Sequence, residues 1–280
     1  MNNKNPVFSR LDEQTTGGSG FAYAEGVTAY QRAGQAPYQV PSGAPTGSIY
    51  EPVSDRMTLD DVIVRTGISI AVLIPAAFIG WTFSASMPWL YLIGMIGGLV
   101  LGLVNAFKRV VSPPLILAYA AAEGLFLGGI SWVYDQWAAS TGYEGLVAQA
   151  VIGTLVAFVV MLALYRSRLV KVDGRFMRIM MVAMVSYLFI AVASFVSALF
   201  GVGGGWGFYG VGGLGLLLCV VGVGLASFSL MLDFESITRG VQSGLPARES
   251  WRMAFGLLVT LVWLYLEILR MLAIIASSRD

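Results

Sequence analysis

The sequence predicts an all-α integral membrane protein with seven transmembrane helices, and two observations carry that prediction. Of its 280 residues, 57% are hydrophobic and only 12% are charged, whereas soluble domains carry about 25% charged residues. The apolar residues also fall into blocks that are long enough, at 1.5 Å per residue, to cross a hydrocarbon core of about 30 Å. The seven blocks cover residues 62–82, 89–106, 115–134, 146–165, 177–199, 209–232 and 253–276.

The first 57 residues differ from the rest of the chain in composition. They are rich in Gly, Ser, Pro, Gln and Thr and contain no apolar segment of the kind found in a secretory signal peptide. Because such a segment cannot bury enough apolar surface to fold, it is predicted to be disordered. We therefore expect a cytoplasmic tail over residues 1–57 and a seven-span membrane domain over residues 58–280.

Basic residues are distributed asymmetrically between the two sides of the predicted membrane domain. The loops after the first, third and fifth blocks contain none, and only Arg279 follows the last block. By the positive-inside rule, we expect an inner-membrane protein with a cytoplasmic N-terminus and an external C-terminus. The ten basic residues of the cytoplasmic loops are Lys108, Arg109, Arg166, Arg168, Lys171, Arg175, Arg178, Arg239, Arg248 and Arg252.

Composition also excludes several classes of function. The net charge is +1 and the basic residues are not interleaved with aromatic ones, so no nucleic-acid partner is expected. Histidine is absent and Cys219 is the single cysteine, which argues against a zinc site and leaves proton chemistry to carboxylates. No nucleophile is paired with a base, so we expect neither an enzyme nor a bound cofactor.

Glycines recur every four residues in the second block, at Gly94, Gly98 and Gly102. This spacing places them on one face of a helix, where the missing side chains let a neighbouring backbone come close. The pattern predicts that the second helix packs tightly against another helix through this face.

Three acidic residues lie within or at the end of the predicted spans: Glu123 in the third, Asp233 at the cytoplasmic end of the sixth and Glu267 in the seventh. A charge at the centre of a transmembrane helix costs about 2.5–3.5 kcal/mol, so such residues usually mark functional sites. Two neighbouring carboxyl groups that share a proton can link two helices. When both are ionised, they repel one another or bind a hard cation such as calcium.

Each of these acids also has an ordinary structural explanation. Asp233 could be solvated at a helix end beside Glu235. Glu267 could form a local ion pair with Arg270, which is three residues further along the same helix face. Glu123 could be a protonated acid that is bonded to a backbone carbonyl group.

Short motifs around these acids resemble those of the Bax inhibitor family, also called the transmembrane Bax inhibitor motif family. The motifs are "EGLFLGGIS" in the third span, "LMLDFESI" at the end of the sixth and "LYLEILRML" in the seventh. The similarity covers roughly residues 60–276. The N-terminal tail, with "NPVF" near its start, resembles an actinobacterial branch of the family.

The resemblance implies a bundle in which the seventh helix is central, and a calcium leak closed by an acidic pair between the sixth and seventh helices. It places the first acid of the pair on Asp233, the second on Glu267 and the third-span acid on Glu123. Two features depart from the family pattern. The second acid is usually Asp, and the 34 residues from Asp233 to Glu267 exceed the usual spacing because of the segment "TRGVQSGLPARES".

Two functional hypotheses follow. The first is a pH-sensitive cation leak channel of the inner membrane, which would interact with the lipid bilayer, calcium and protons. Asp233 and Glu267 would gate it and bind calcium, and Glu123 would lie in the conduction path. The second is a non-transporting regulator that binds a membrane protease or another membrane protein, a role with which some bacterial relatives of the family are associated.

Overall fold

The computed structural model describes residues 56–170, 172–210 and 212–277, so nearly all of the predicted tail lies outside the described residues. Seven helices in the described part are long and apolar enough to cross a membrane, which confirms a multi-pass membrane protein. The helices are α1 (Leu59–Phe83), α2 (Trp89–Phe107), α3 (Pro113–Ser140), α4 (Leu146–Arg166), α5 (Gly174–Leu199), α6 (Gly212–Gln242) and α7 (Ser250–Ser277). Short 3-10 turns occupy Val202–Gly205, Gly207–Gly210 and Ala247–Glu249.

Side-chain caps mark the first residues of two helices. The Thr58 hydroxyl accepts a hydrogen bond from the Asp61 backbone amide, and the Asp61 carboxylate accepts one from the Thr58 amide. Asp173 accepts a hydrogen bond from the Phe176 amide at the start of α5. These bonds satisfy amide groups that have no partner within the first turn of a helix, so the helix starts are defined locally.

Glycines allow α3 to pack closely against both α1 and α2. A Cβ atom at Gly94 would lie 2.6 Å from the Phe126 amide nitrogen, and one at Gly98 would lie 2.8 Å from Oε1 of Glu123. A Cβ atom at Gly128 would meet the Ala77 carbonyl oxygen of α1. Because no side chain fits at these positions, the glycine spacing in α2 is confirmed as a packing face.

Helix α7 lies at the centre of the bundle, as the family resemblance implies. It packs against α1, α3, α4 and α6 and has more buried residues than any other helix in the described part of the chain. Tyr119 of α3 packs edge-on against Phe255, and Ser131 shares a hydrogen bond of 2.7 Å with Tyr265. Helices α3 and α7 therefore run side by side in the same direction.

The hairpin of α6 and α7 differs from the predicted one. Helix α6 continues to Gln242, ten residues beyond the predicted end at residue 232. The first residues of the segment "TRGVQSGLPARES" are thus helical, and the connection begins only after them. Asp233 lies nine residues before the end of α6, about two and a half turns into the helix, rather than at its end.

Polar contacts hold together the end of the bundle at which the basic loops lie. The Arg65 guanidinium donates hydrogen bonds to the Ala247 carbonyl and to the Ser250 hydroxyl. Arg252, in the first turn of α7, donates to the Arg109 carbonyl at 2.7 Å. These bonds therefore join the start of α1, the loop after α2 and the start of α7 at this end of the bundle.

Candidate functional site

Glu267 lies in α7 at the centre of a polar cluster that provides partners for both of its carboxylate oxygens, and its side chain is almost completely buried. Its Oε1 atom accepts hydrogen bonds from the Tyr187 hydroxyl at 2.9 Å and from Nε1 of Trp263 at 3.2 Å. Its Oε2 atom lies 3.5 Å from Nη1 of Arg270. The local ion pair with Arg270, one of the alternatives that the sequence leaves open, is therefore formed.

The helical spacing of α7 explains part of this cluster. Trp263 and Arg270 lie four residues before and three residues after Glu267, so all three side chains share one helix face. Tyr187 comes from α5, and its hydroxyl accepts a hydrogen bond from the Tyr209 hydroxyl at 2.9 Å. We call Tyr187, Tyr209, Trp263, Glu267 and Arg270 the Glu267 cluster.

Helix α6 approaches this cluster through the bare backbone of Gly222. A Cβ atom at Gly222 would lie 2.4 Å from the Tyr187 hydroxyl and 2.7 Å from the Glu267 carboxylate. The Arg270 guanidinium lies 4.2 Å from the centre of the Tyr209 ring, in a cation–π contact. A buried charge is tolerated when it is paired and hydrogen-bonded, and both charges of the cluster meet that condition.

Asp233 occupies a different environment, where α6 faces the first half of α7. Its Oδ1 atom points toward Gly256, at which a Cβ atom would lie 3.7 Å away. The Thr260 hydroxyl, which donates a hydrogen bond to the Gly256 carbonyl at 3.2 Å, lies close to the carboxyl group. The Oδ2 atom is buried and has no hydrogen-bond partner among the described residues. Asp233 thus carries a buried polar atom that the protein itself leaves unsatisfied.

The structure does not bring Asp233 and Glu267 together, which corrects the predicted link. The two helices are antiparallel, so Asp233 lies opposite Gly256 and Thr260, and Glu267 lies opposite Gly222. Glu267 is seven residues beyond Thr260, which is about 10 Å along the axis of α7.

A calcium site between these two carboxylates is consequently not formed. Within the described residues, no group of three or more His, Cys, Asp or Glu side chains is positioned to hold a metal ion. The physical reason is the register of the hairpin. Because α6 continues to Gln242 before the chain turns, Asp233 faces the first half of α7 and not Glu267.

Glu123 lies on α3, where its carboxyl group faces Gly98 of α2 and lies close to Tyr119, one helical turn earlier. The contacts of α3 with Phe255 and Tyr265 place Glu123 at a level between those two residues of α7. Asp233 faces α7 in the same interval. Two of the three predicted acids therefore lie at one level of the bundle, on two helices that both pack against α7.

The sequence alone did not identify every residue of these sites. Trp263 could have been found, because its spacing of four residues places it on the same helix face as Glu267. Tyr187, Gly222 and Gly256 lie in apolar or glycine-rich stretches of the sequence, with no local pattern that connects them to an acid on another helix. Their roles depend on helix packing, which the sequence does not display.

Comparison with known families extends over nearly the whole chain. Residues 5–277 match a family model described as Bax inhibitor 1 like, and this range includes all seven helices. No curated protein matches the chain. The family match agrees with the resemblance carried by the motifs around Glu123, Asp233 and Glu267.

Proposed function

The chain belongs to the Bax inhibitor 1 like family, and on that premise we propose that it is a pH-sensitive cation leak channel of the inner membrane. Calcium is the proposed transported ion. We also propose that the N-terminus is cytoplasmic, because the basic loops lie at one end of the bundle.

The observation that supports this function best is the unsatisfied carboxylate of Asp233. A buried polar group without a partner costs about 1–3 kcal/mol, so it persists where it has a role. The position opposite is Gly256, which has no side chain to fill the space beside Oδ1. A proton or cation that reaches this carboxyl group would meet an Oδ2 atom to which no described residue is hydrogen-bonded.

Protonation of Asp233 provides the proposed pH sensitivity. The ionised carboxylate attracts a calcium ion, and carboxylate oxygens are the ligands that calcium prefers. The protonated group has no charge, so it no longer attracts the ion. Calcium flux should accordingly fall on acidification and rise as Asp233 ionises.

The other two acids have separate proposed roles. Glu123 lies at the level of Asp233 and is the second candidate for lining the conduction path. Glu267 is neutralised by Arg270 and hydrogen-bonded by Tyr187 and Trp263. Its proposed role is to hold α5, α6 and α7 together.

The test is calcium influx into liposomes that contain the purified protein and a trapped calcium dye. We expect Asp233→Asn to lower influx about tenfold, equivalent to losing about 1.4 kcal/mol of ion binding, and to abolish its pH dependence. Glu235→Gln is the matched control, because Glu235 is on the same helix but pairs with the exposed Arg239. It should leave the flux unchanged.

Two outcomes would overturn the proposal. If Asp233→Asn shows the same influx and the same pH profile as the unmodified protein, Asp233 is not the gate. If the unmodified protein shows no influx above empty liposomes at any pH, the chain is not a leak channel. The latter outcome would favour the regulator hypothesis, which co-purification with a membrane protease would then test.

A further inference from the structure

A cavity of about 810 Å³ adjoins the Glu267 cluster and has no role in the proposed leak. It lies among α2, α3, α5 and α7, and its wall includes the 3-10 turns that follow α5. Its size is within the range of small-molecule binding sites, about 300–1,000 Å³. Most of the wall is apolar, with contributions from Met95, Phe126, Met184, Leu188 and Phe195.

The polar part of the wall has more hydrogen-bond donors than acceptors. Glu267 already receives bonds from Tyr187 and Trp263 in addition to its ion pair with Arg270. A guanidinium group has five N–H donors. The contacts found for Arg270 in the described residues are the 3.5 Å contact with Glu267 and the face of the Tyr209 ring, with Tyr134 close by.

The remaining donors of Arg270 favour an anionic ligand group. Carboxylates and phosphates accept paired N–H bonds from a guanidinium, and such charge-assisted bonds are among the strongest in proteins. Arg270 also lines a second cavity of about 520 Å³ on the other side of Tyr209. Its guanidinium therefore lies at the boundary between the two cavities.

Aromatic side chains separate the larger cavity from the end of the bundle at which α7 terminates. Trp206 stacks on Trp137 with ring centres 6.0 Å apart and packs against Tyr134 at 5.4 Å. The wall of the cavity that α5 forms includes Val185, Leu188 and Phe195, which are 47%, 62% and 61% exposed. Exposed apolar residues of a transmembrane helix face lipid, so this side of the cavity adjoins the bilayer.

We propose that this cavity binds one anionic amphiphile that enters from the bilayer. The ligand class is a single acyl chain with a carboxylate or phosphate group. The chain occupies the apolar part of the cavity, and the anionic group is bound by Arg270. This site lies at the level of Glu267 and does not include Asp233 or Glu123, so it is independent of the proposed conduction path.

Native mass spectrometry of the detergent-solubilised full chain tests the ligand class. The probes are dodecanoate and dodecyl phosphate, with dodecanol as the uncharged chain and inorganic phosphate as the charge without a chain. We expect one bound molecule of either anionic probe and affinity for dodecanol lower by about tenfold or more, as expected for loss of a charged hydrogen bond. Inorganic phosphate alone should not bind.

Variants of α5 test the location. Ala191 lines the cavity, whereas Ala193 faces outward on the same helix. Ala191→Phe should lower binding of dodecanoate about tenfold or more by filling the space, and Ala193→Phe should leave it unchanged. Arg270→Gln should reduce the preference for dodecanoate over dodecanol, which a purely structural role of Arg270 would not change.

Three results would overturn the proposal. The first is equal binding of dodecanol and dodecanoate, and the second is equal binding by the Ala191→Phe and Ala193→Phe proteins. The third is binding of inorganic phosphate alone, which would indicate an anion site without a chain-binding cavity. Because the Ala191→Phe and Ala193→Phe proteins keep every charge, their comparison remains informative if Arg270→Gln does not fold.

Discussion

The Glu267 cluster and the Asp233 site show two ways in which one helix pair accommodates a buried acid. Glu267 has a cation on its own helix, hydrogen-bond donors from α5 and α7, and the bare backbone of Gly222 opposite. Asp233 has Thr260 nearby, the bare backbone of Gly256 opposite and one buried oxygen without a partner in the described part of the chain.

On the proposed function, this difference separates an acid that holds helices together from one that binds protons and cations. A carboxylate whose oxygens are all occupied contributes to the packing of the helices and has little capacity to bind anything else. A carboxylate with an unsatisfied oxygen keeps that capacity and reduces stability as a consequence. Both acids lie on helices that cross the bundle, and it is their partners that distinguish them.

The largest expected effect comes from removing the cation of the Glu267 cluster. Arg270→Met leaves Glu267 buried and unpaired, so we expect the free energy of unfolding to fall by about 3–5 kcal/mol. Arg239→Met is the matched control, because it breaks a local pair with Glu235 on an exposed face and should cost less than about 1 kcal/mol. Unfolding in mixed detergent micelles measures both, and equal losses would show that the cluster is not held by its charges.

A smaller effect distinguishes the two glycines that face the two acids. A Cβ atom at Gly222 would overlap the Tyr187 hydroxyl and the Glu267 carboxylate, whereas one at Gly256 would make an ordinary contact with Asp233. We expect Gly222→Ala to cost about 1–3 kcal/mol. Gly256→Ala should be neutral or stabilise by up to about 1 kcal/mol, because alanine is the better helix former. The same unfolding assay compares the two variants. A greater loss of unfolding free energy for Gly256→Ala than for Gly222→Ala would contradict this account.

The seven spans could be predicted from the sequence because the thickness of the bilayer determines how long an apolar block must be. The first block, residues 62–82, differs from α1 (Leu59–Phe83) by only a few residues. The end of α6 could not be predicted in this way. Hydropathy falls after residue 232, but the backbone hydrogen bonds of the helix continue through polar residues to Gln242.

The site was predicted only where it depends on spacing within one helix. Arg270 was recognised as an alternative partner of Glu267 because residues three apart share a helix face. The link between Asp233 and Glu267 was wrong because contacts between antiparallel helices depend on where the chain turns. Tyr187 was missed for a related reason, since α5 reaches the cluster only through the three-dimensional packing of the bundle.

The smallest expected effect concerns the Trp263 indole. Trp263→Phe removes one donor from Oε1 of Glu267, while Tyr187 continues to donate to the same atom at 2.9 Å. Hydrogen bonds between side chains in membrane proteins contribute about 0.6 kcal/mol on average, so we expect a loss of that order. Trp89→Phe is the control, because Trp89 is 54% exposed on α2. If Trp263→Phe lowered the free energy of unfolding as much as Arg270→Met, the main stabilisation of buried Glu267 would come from Trp263 and not from the ion pair.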